Sequence, residues 1–556
     1  MYDVIVVGSG ASGGAVAYRL VQAGYRVALL EKGALLTRED FSKDELAYCR
    51  RDLVTPNLQE EYHVIEQKVN GVWVATPTFK SQWSFWNGNI VGGSSNLMSG
   101  MVHRMHPDDF RLKSKYGEIK GANVVDWPIS YEELSPYYDE VEALVGISGC
   151  VEKHPFLPPR KEATFFQPPT KENALVKEFD RSCHSLGITP LVTPRAILSQ
   201  PYAHREGCLY SNFCGSYGCS SGAKGSAREA FIVPALATGR LTLLPHTHVK
   251  KLHTTKEKVT SVSVIHTKTN KERELKAKYF VLAAQAHESV RLLLNSANRF
   301  YPFGVANSSG ELGKNLIFSG GGVGRARLKY SKENSSQFEA WMRRGLFVNR
   351  SILDWYFVDH WWDGYFKGGL VEFMFESQNV IGRADTIAQE GGKLLWGENL
   401  RRSLERGFTQ EKSIRFEIFN DWLPHDDSFI SLAKEHKDKY GMPVGKLRIS
   451  GHPLDQKVGQ YLAQKSIKIL EEMGAKEIEY RISDMPAPNL IAGGCRFGNN
   501  PKESVLNKMC QTHDIDNLYV ADASFMPTGG SVPYTWTIYA NALRVADGLI
   551  ERLSKG

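Results

Sequence analysis

Three of the chain's eight cysteines fall within twelve residues, Cys208-x5-Cys214-x4-Cys219; the other five are scattered. Eight in 556 residues is too few for a disulfide scaffold, and thiols so spaced on one loop point to metal ligation. Three ligands are one short of a closed zinc site unless His204 is the fourth. Thiolates also hold iron–sulfur clusters. Free or structural thiols are the third reading. A second cluster of chemistry lies at the N-terminus. Gly8, Gly10 and Gly13 form G-x-G-x-x-G, with Ala11 and Ser12 inside the motif, and Glu31 follows the last glycine by 18 residues. The first glycine permits a tight turn, the second a close approach of backbone to a pyrophosphate, and the third packing of helix on strand. An acid at the end of the next strand suits a ribose diol.

These residues need elements to hold them. Val4-Ile5-Val6-Val7 is an apolar run ending in glycine, as a buried parallel strand reads. Ala15–Ala23 carries a helical pattern and Val27–Leu30 a second buried strand, which completes a β-α-β unit. The helix N-terminus then offers its free N–H groups and positive dipole end to phosphate. The motif alone does not separate FAD from NAD. Strand character returns at Leu241–Leu244, Val259–Ile265 and Tyr279–Leu282, and again at Leu518–Val520. Trp127–Val145, Lys457–Met473 and Thr535–Leu549 read as helices. Residues 40–90 read as irregular, 150–205 as an extended crossing, and 325–450 as a second, sheet-containing domain.

Composition excludes several classes. Hydrophobic residues make up 42% and charged residues 23%, so the chain is globular and not disordered. The net charge of +7 is diluted over 556 residues with no run of five Lys/Arg, which gives nucleic acid binding no support. No stretch approaches the ~20 apolar residues of a membrane span. The N-terminus reads as a first strand and not as a signal peptide, so the expected location is cytoplasmic, with export alongside a partner subunit as the other route.

Three further stretches carry a family resemblance: Val91-Gly92-Gly93-Ser94-Ser95-Asn96 after Trp83–Trp86, Gly493-Gly494-Cys495-Arg496-Phe497-Gly498, and Asn517–Pro527 with Asp522-Ala523. With the N-terminal motif, this order resembles the glucose–methanol–choline (GMC) family of FAD oxidoreductases. Within it the chain is most similar to the catalytic subunits of bacterial gluconate, fructose and FAD-glucose dehydrogenases. Pro107-Asp108-Asp109-Phe110, Asp126-Trp127-Pro128-Ile129 and Gly304–Ser309 with Gly313–Leu316 add to the likeness. The resemblance implies an α/β fold. A discontinuous Rossmann-like FAD domain (1–40, 85–125, 205–320, 485–556) would enclose an α+β substrate domain and its excursions (41–84, 126–204, 321–484). It implies that Gly8, Gly10, Gly13 and Glu31 hold the pyrophosphate and ribose of FAD. Gly92, Gly93, Ser94 and Asn96 would lie along pyrophosphate and flavin, Val249 at the adenine side, and Asp522 and Ala523 at the ribityl–phosphate region. For Asp522 a helix cap is the plain alternative. In the resembled dehydrogenases a comparable cysteine triplet holds a [3Fe–4S] cluster, here with the second spacing one residue longer.

The resemblance breaks at the catalytic position. The family's histidine base falls at Leu490, counted back from Gly498, and its second polar partner at Pro533. Neither side chain accepts a proton, although a placed titratable group is what general base catalysis requires. Asn489, Tyr534 and Asn541 are the nearest polar neighbours. Among histidines His360 is the first candidate, since the aromatic stretch Trp355–Phe366 reads either as a sugar cleft or as sheet core; His425, His452 and His103 follow. Three readings result: a substitute base, a different flavin reaction, or a non-catalytic flavoprotein. The expected activity is oxidation of a hydroxyl on a sugar, polyol or glycoside. Electrons would pass to a cytochrome or quinone acceptor, and the resembled complexes imply a small accessory subunit as a further partner.

Overall fold

The structure, a computed structural model, describes residues 2–42, 44–46, 57, 59–81, 83–329, 346, 348–362, 364–375, 380–390, 393–482 and 484–555. Its centre is a five-stranded parallel sheet in the order Leu518–Val520, Ala277–Leu282, Tyr2–Val7, Val27–Leu30, Leu241–Leu244. Tyr2–Val7 past its first residue, Val27–Leu30, Leu518–Val520 and the second half of Ala277–Leu282 are buried, which is why they read as continuous apolar runs in a sheet covered on both faces, while the edge strand Leu241–Leu244 is largely half-buried. The helix Ala11–Gln22 leaves the first strand through Gly8 and packs against the last helix, Thr535–Lys555. An antiparallel three-stranded sheet of residues 247–275 is packed against Ala277–Leu282.

A second layer is a six-stranded sheet: Lys476–Ile482, Gly322–Lys329, Glu411–Asn420, Gly369–Phe375, Val348–Ile352, Pro190–Val192, with every pair antiparallel. Its rear face packs on the helix Pro453–Glu472 through Phe373, Phe416, Ile418 and Leu462, forming a core of its own. A four-stranded sheet joins residues 64–77 to 429–448. Among the described residues no helix is long and apolar enough to cross a membrane.

Several expectations need adjustment. Residues 40–90 are not wholly irregular, since Val64–Val69 and Val72–Pro77 form a hairpin. The extended crossing contains a helix, Val176–Ser185. The helix Tyr131–Val145, grouped by sequence with the substrate region, instead packs on the last helix. Glu140 pairs with Arg19 at 2.6 Å and Tyr138 Oη meets Thr537 Oγ1 at 2.6 Å.

Candidate functional site

One cavity, about 370 Å³, is walled by both layers. Gly8, Gly10, Ala11, Ser12, Glu31, Gly93, Ser94, Val249, Asp522 and Ala523 line it from the parallel-sheet side. Glu417 and Phe419 line it from the six-stranded sheet, together with Asn489, Leu490, Pro533 and Tyr534.

The glycines explain the shape of the first wall. Gly8 has φ +97°, and a Cβ there would lie 2.3 Å from Ala283 O. A Cβ on Gly13 would lie 1.9 Å from Gly8 O, so only glycine lets the helix start against the turn. At Gly10 a Cβ meets nothing within 4 Å: this position faces the cavity. Gly10 also caps the helix without a side chain, leaving the first-turn N–H groups open to an anion. Ser9 ties the second glycine turn to the first. Its hydroxyl accepts from Gly92 N at 3.0 Å and donates to Glu31 Oε2 at 2.5 Å. Glu31 also receives the N–H of Gly33, and burial pushes its carboxyl upward. This open helix terminus beside a buried acid fits a dinucleotide pyrophosphate and ribose.

Other cofactor candidates divide. Asp522 both lines the cavity and caps the turn Ala523–Phe525, accepting from Ser524 N at 3.0 Å and from the Ser289 hydroxyl. Asn96 does not line the cavity. Its amide donates to Val91 O and Gly93 O, at 3.0 and 2.9 Å, so it braces the glycine turn from behind. Gly92 and Gly13 likewise shape the wall without facing it.

The three cysteines are partly buried and pack on Ile197, Leu198, Ala223 and Leu346. Cys208 Sγ accepts the Tyr210 N–H at 3.3 Å, and burial beside Cys214 pushes its thiol up to about 11. Buried Lys224 knits the loop to the glycine turn, donating to Cys214 O, Tyr217 O and Asn96 O at 2.7–3.0 Å. Gly215 and Ser216, between the second and third thiols, line the cavity. Three thiols on one loop against one apolar patch are the residue types that cluster ligation uses, while among the described residues their sulfur atoms do not form a group within 4.8 Å of one another. His204 does not complete a zinc site: its Nε2 faces Glu229 O at 3.1 Å.

The histidine candidates are mostly engaged in structure. His425 Nε2 meets Ser450 O at 2.8 Å, and His452 caps the helix Pro453–Glu472. His103 Nε2 lies 2.6 Å from Glu372 Oε1 and lines a separate cavity of about 670 Å³. His360 is on the strand Phe357–Trp362, but its side chain and those of Trp361, Trp362 and Phe366 lie outside the described ones. Trp355 is core and Tyr356 donates to Asp109 at 2.6 Å. Asn489 is exposed at the cavity rim. The Tyr534 hydroxyl is buried without a partner, and burial holds it well above the ordinary tyrosine range. Asn541 is turned away to Arg544 and Cys510. Leu490 and Pro533 are both in the cavity wall, where the resemblance puts the proton-handling pair.

Sequence reasoning missed two groups. Glu417 sits in the cavity wall; its signal was a lone acid amid the apolar strand residues Phe416, Ile418 and Phe419. His63, His287 and Glu288 bring ligand atoms within 4.8 Å of one another. Glu288 is already shared by His63 at 3.0 Å and Arg291 at 3.1 Å, so this group reads as an ion-pair network under the cradle.

Comparison with known proteins agrees with this geometry. GMC oxidoreductase family models match residues 2–318 and 424–542. The chain is 31% identical to a 2-methyl-1,2-propanediol dehydrogenase of Mycolicibacterium austroafricanum, covering 99% of this chain and 96% of that one. It is 27% identical to the fructose dehydrogenase large subunit of Gluconobacter japonicus, covering 100% and 98%. The crystal structure of a pyridoxine 4-oxidase from Mesorbium loti shares the fold, with a TM-score of 0.62 over 99% of both chains at 17% identity. With the glycine cradle, the two-layer cavity and these matches in hand, the chain belongs to the GMC oxidoreductase family of FAD-dependent oxidoreductases.

Proposed function

We propose that this protein is a dehydrogenase oxidising a hydroxyl of a polyol, sugar or glycoside, and that its electrons leave through a [3Fe–4S] cluster on Cys208, Cys214 and Cys219. The observation that carries the reading is a single cavity reaching from the glycine cradle past the thiol loop to the six-stranded sheet. The relatives act on small diols and sugars, by their names, and the fructose dehydrogenase relative is one subunit of a larger assembly, which supports an accessory subunit or an external acceptor here. The FAD domain, on this reading, is assembled from residues 1–40, 85–125, 205–320 and 485–556, with the helix Tyr131–Val145 packed against it, and the rest forms the substrate side.

When bound, FAD accepts hydride from the carbinol carbon. The chain's own residues prepare that event. Gly10, Ala11 and Ser12 present N–H groups and open backbone to the pyrophosphate, and Glu31 accepts from the ribose. Gly93 and Ser94 shape the second side of the cradle, Val249 packs at the adenine end, and Asp522-Ala523 sets the turn facing the ribityl chain. Leu490, Pro533 and Phe419 exclude water from the reacting end, and Asn489 and Tyr534 border it. Gly215 and Ser216 of the thiol loop lie in the same wall, so a cluster on that loop would stand beside the cavity.

Protein purified without oxygen tests both cofactors at once. The reading expects a flavin absorbance, stoichiometric FAD on denaturation, and about three irons per chain with the paramagnetic signal of an oxidised three-iron cluster. Flavin without iron removes the cluster and leaves thiols as structural groups. Absence of FAD removes the whole reading. A different flavin reaction, suggested by Leu490 and Pro533, would show as bound flavin that no alcohol reduces.

A further inference from the structure

We propose that Glu417 is the acceptor of the substrate hydroxyl proton, in place of the side chains that Leu490 and Pro533 lack. The proposal rests on the alcohol-oxidising reading of the cavity above.

Its basis is the pleat of one strand. In Glu411–Asn420, Ile414, Phe416 and Ile418 face the core behind the sheet, so Glu417 and Phe419 face the other way, into the cavity. The register with the neighbouring strand sets Phe419 beside Leu370 and Glu417 beside Glu372. Such cross-strand partners share a face with Cβ atoms roughly 4.5–5.5 Å apart. Glu372 is fully buried and fully used: it meets His103 Nε2 at 2.6 Å and accepts from Thr193 Oγ1 at 2.9 Å. Glu417 differs. Among the described residues its carboxylate makes no hydrogen bond or ion pair, and it retains partial access through the cavity.

A half-buried carboxylate without a partner is costly, and an apolar residue in this strand would remove that cost. The cost is intelligible if the missing partner is a substrate hydroxyl. Elimination points the same way. The other acids of the cavity, Glu31, Glu288 and Asp522, belong to the cradle side and are already bonded. Among the described residues, the remaining titratable group at the end walled by Leu490 and Pro533 is Tyr534, whose hydroxyl is buried and held protonated.

The electrostatics favour proton uptake by this carboxylate. Burial raises the Glu417 carboxyl, Arg415 on the same strand opposes, and Glu372 adds to the rise. On the other flanking strand Val323 is opposite Glu417, and Arg325 is opposite Arg415 and paired with Glu479. His103 stands behind Glu372, and the facing wall of Asn489, Leu490, Pro533 and Tyr534 brings no ionised group. In the step itself the alcohol O–H bond breaks and its proton passes to the Glu417 carboxylate. The C–H bond breaks with its electron pair, the hydride leaving to bound FAD, and the C=O bond forms. Glu417 then releases its proton to solvent.

The test uses the FAD-loaded full chain, mixed anaerobically with an alcohol that reduces it. Glu417→Gln should keep its FAD and reduce the flavin ~10²–10⁴-fold more slowly, without the acid limb of the wild-type pH profile. Infrared titration of substrate-free protein, wild type minus Glu417→Gln, should show a carboxyl whose midpoint coincides with that limb. Equal rates, a limb that survives in the variant, or non-coincident midpoints overturn the proposal and leave alcohol oxidation standing. A wild type reduced by no alcohol overturns both. If the glutamine variant loses flavin, Glu417→Asp should keep a slower rate with a displaced limb, and an unmoved limb overturns the assignment.

Discussion

At the scale of single residues, Gly10 and Glu417 separate stability from function. A Cβ at Gly10 meets no protein atom within 4 Å and points into the cavity. Gly10→Val is therefore expected to fold with a melting temperature close to that of FAD-free wild type and to lose stoichiometric flavin, read by absorbance and denaturing release; a valine variant with full flavin contradicts the cradle. Glu417 carries the opposite trade. Its carboxyl is raised by burial, so the folded state binds its proton more tightly than the unfolded chain does. Wild type thus loses stability as pH rises from the ordinary glutamate value through the raised one, and Glu417→Gln does not. Thermal melts across that window should show the variant gaining on wild type with rising pH, then holding a constant lead; a lead that shrinks with pH contradicts the sign. The glycine motif, Glu31 and the thiol triplet were legible because their chemistry is local in sequence. Glu417 was not, because its meaning depends on which face of a strand meets a cavity built from residues 7–538. Asn96 shows a related point: sequence places it in the turn but does not tell a brace from a lining residue.

At the scale of elements, two connections hold the cavity walls together. Lys367 is fully buried between Asp109, at 2.6 Å, and Asp421, with Tyr356 and Tyr365 donating to the same carboxylates. Asp109 belongs to the turn Pro107–Arg111, while Lys367 and Asp421 flank strands of the six-stranded sheet. Lys367→Met leaves two buried acids without their cation, a loss of ~3–5 kcal/mol by the cost of breaking buried pairs. Chemical denaturation should show it, and a change below about 1 kcal/mol would mean the network is not shared between layers. The thiol loop is the second connection, tied to the glycine turn through Lys224. If it holds a cluster, Cys208→Ser, Cys214→Ser and Cys219→Ser should each remove iron and slow reduction of an external acceptor, while flavin reduction by substrate persists. Loss of flavin reduction together with iron would contradict a relay role. The parallel strands and the last helix were readable from apolar runs and helical spacing. The hairpin 64–77 was not, because its second strand, Val72–Pro77, is largely exposed and lacks the alternation of a half-buried strand.

At the scale of the molecule, the parallel sheet and the six-stranded sheet are each built from distant stretches, and the reacting end of the cavity exists only where they meet. That is why the cradle is legible in the sequence and the substrate is not: the cradle side comes from a motif, the substrate side from an assembled surface. The central claim is that an alcohol delivers hydride to FAD in this cavity. Anaerobic titration of the purified protein with vicinal diols, hexitols, sugars and sugar acids, followed at the flavin absorbance, tests it directly. The account predicts complete bleaching by at least one of these classes, with one carbonyl product formed per flavin reduced. A stoichiometric flavin that stays oxidised with every alcohol, yet bleaches with a chemical reductant, would contradict it.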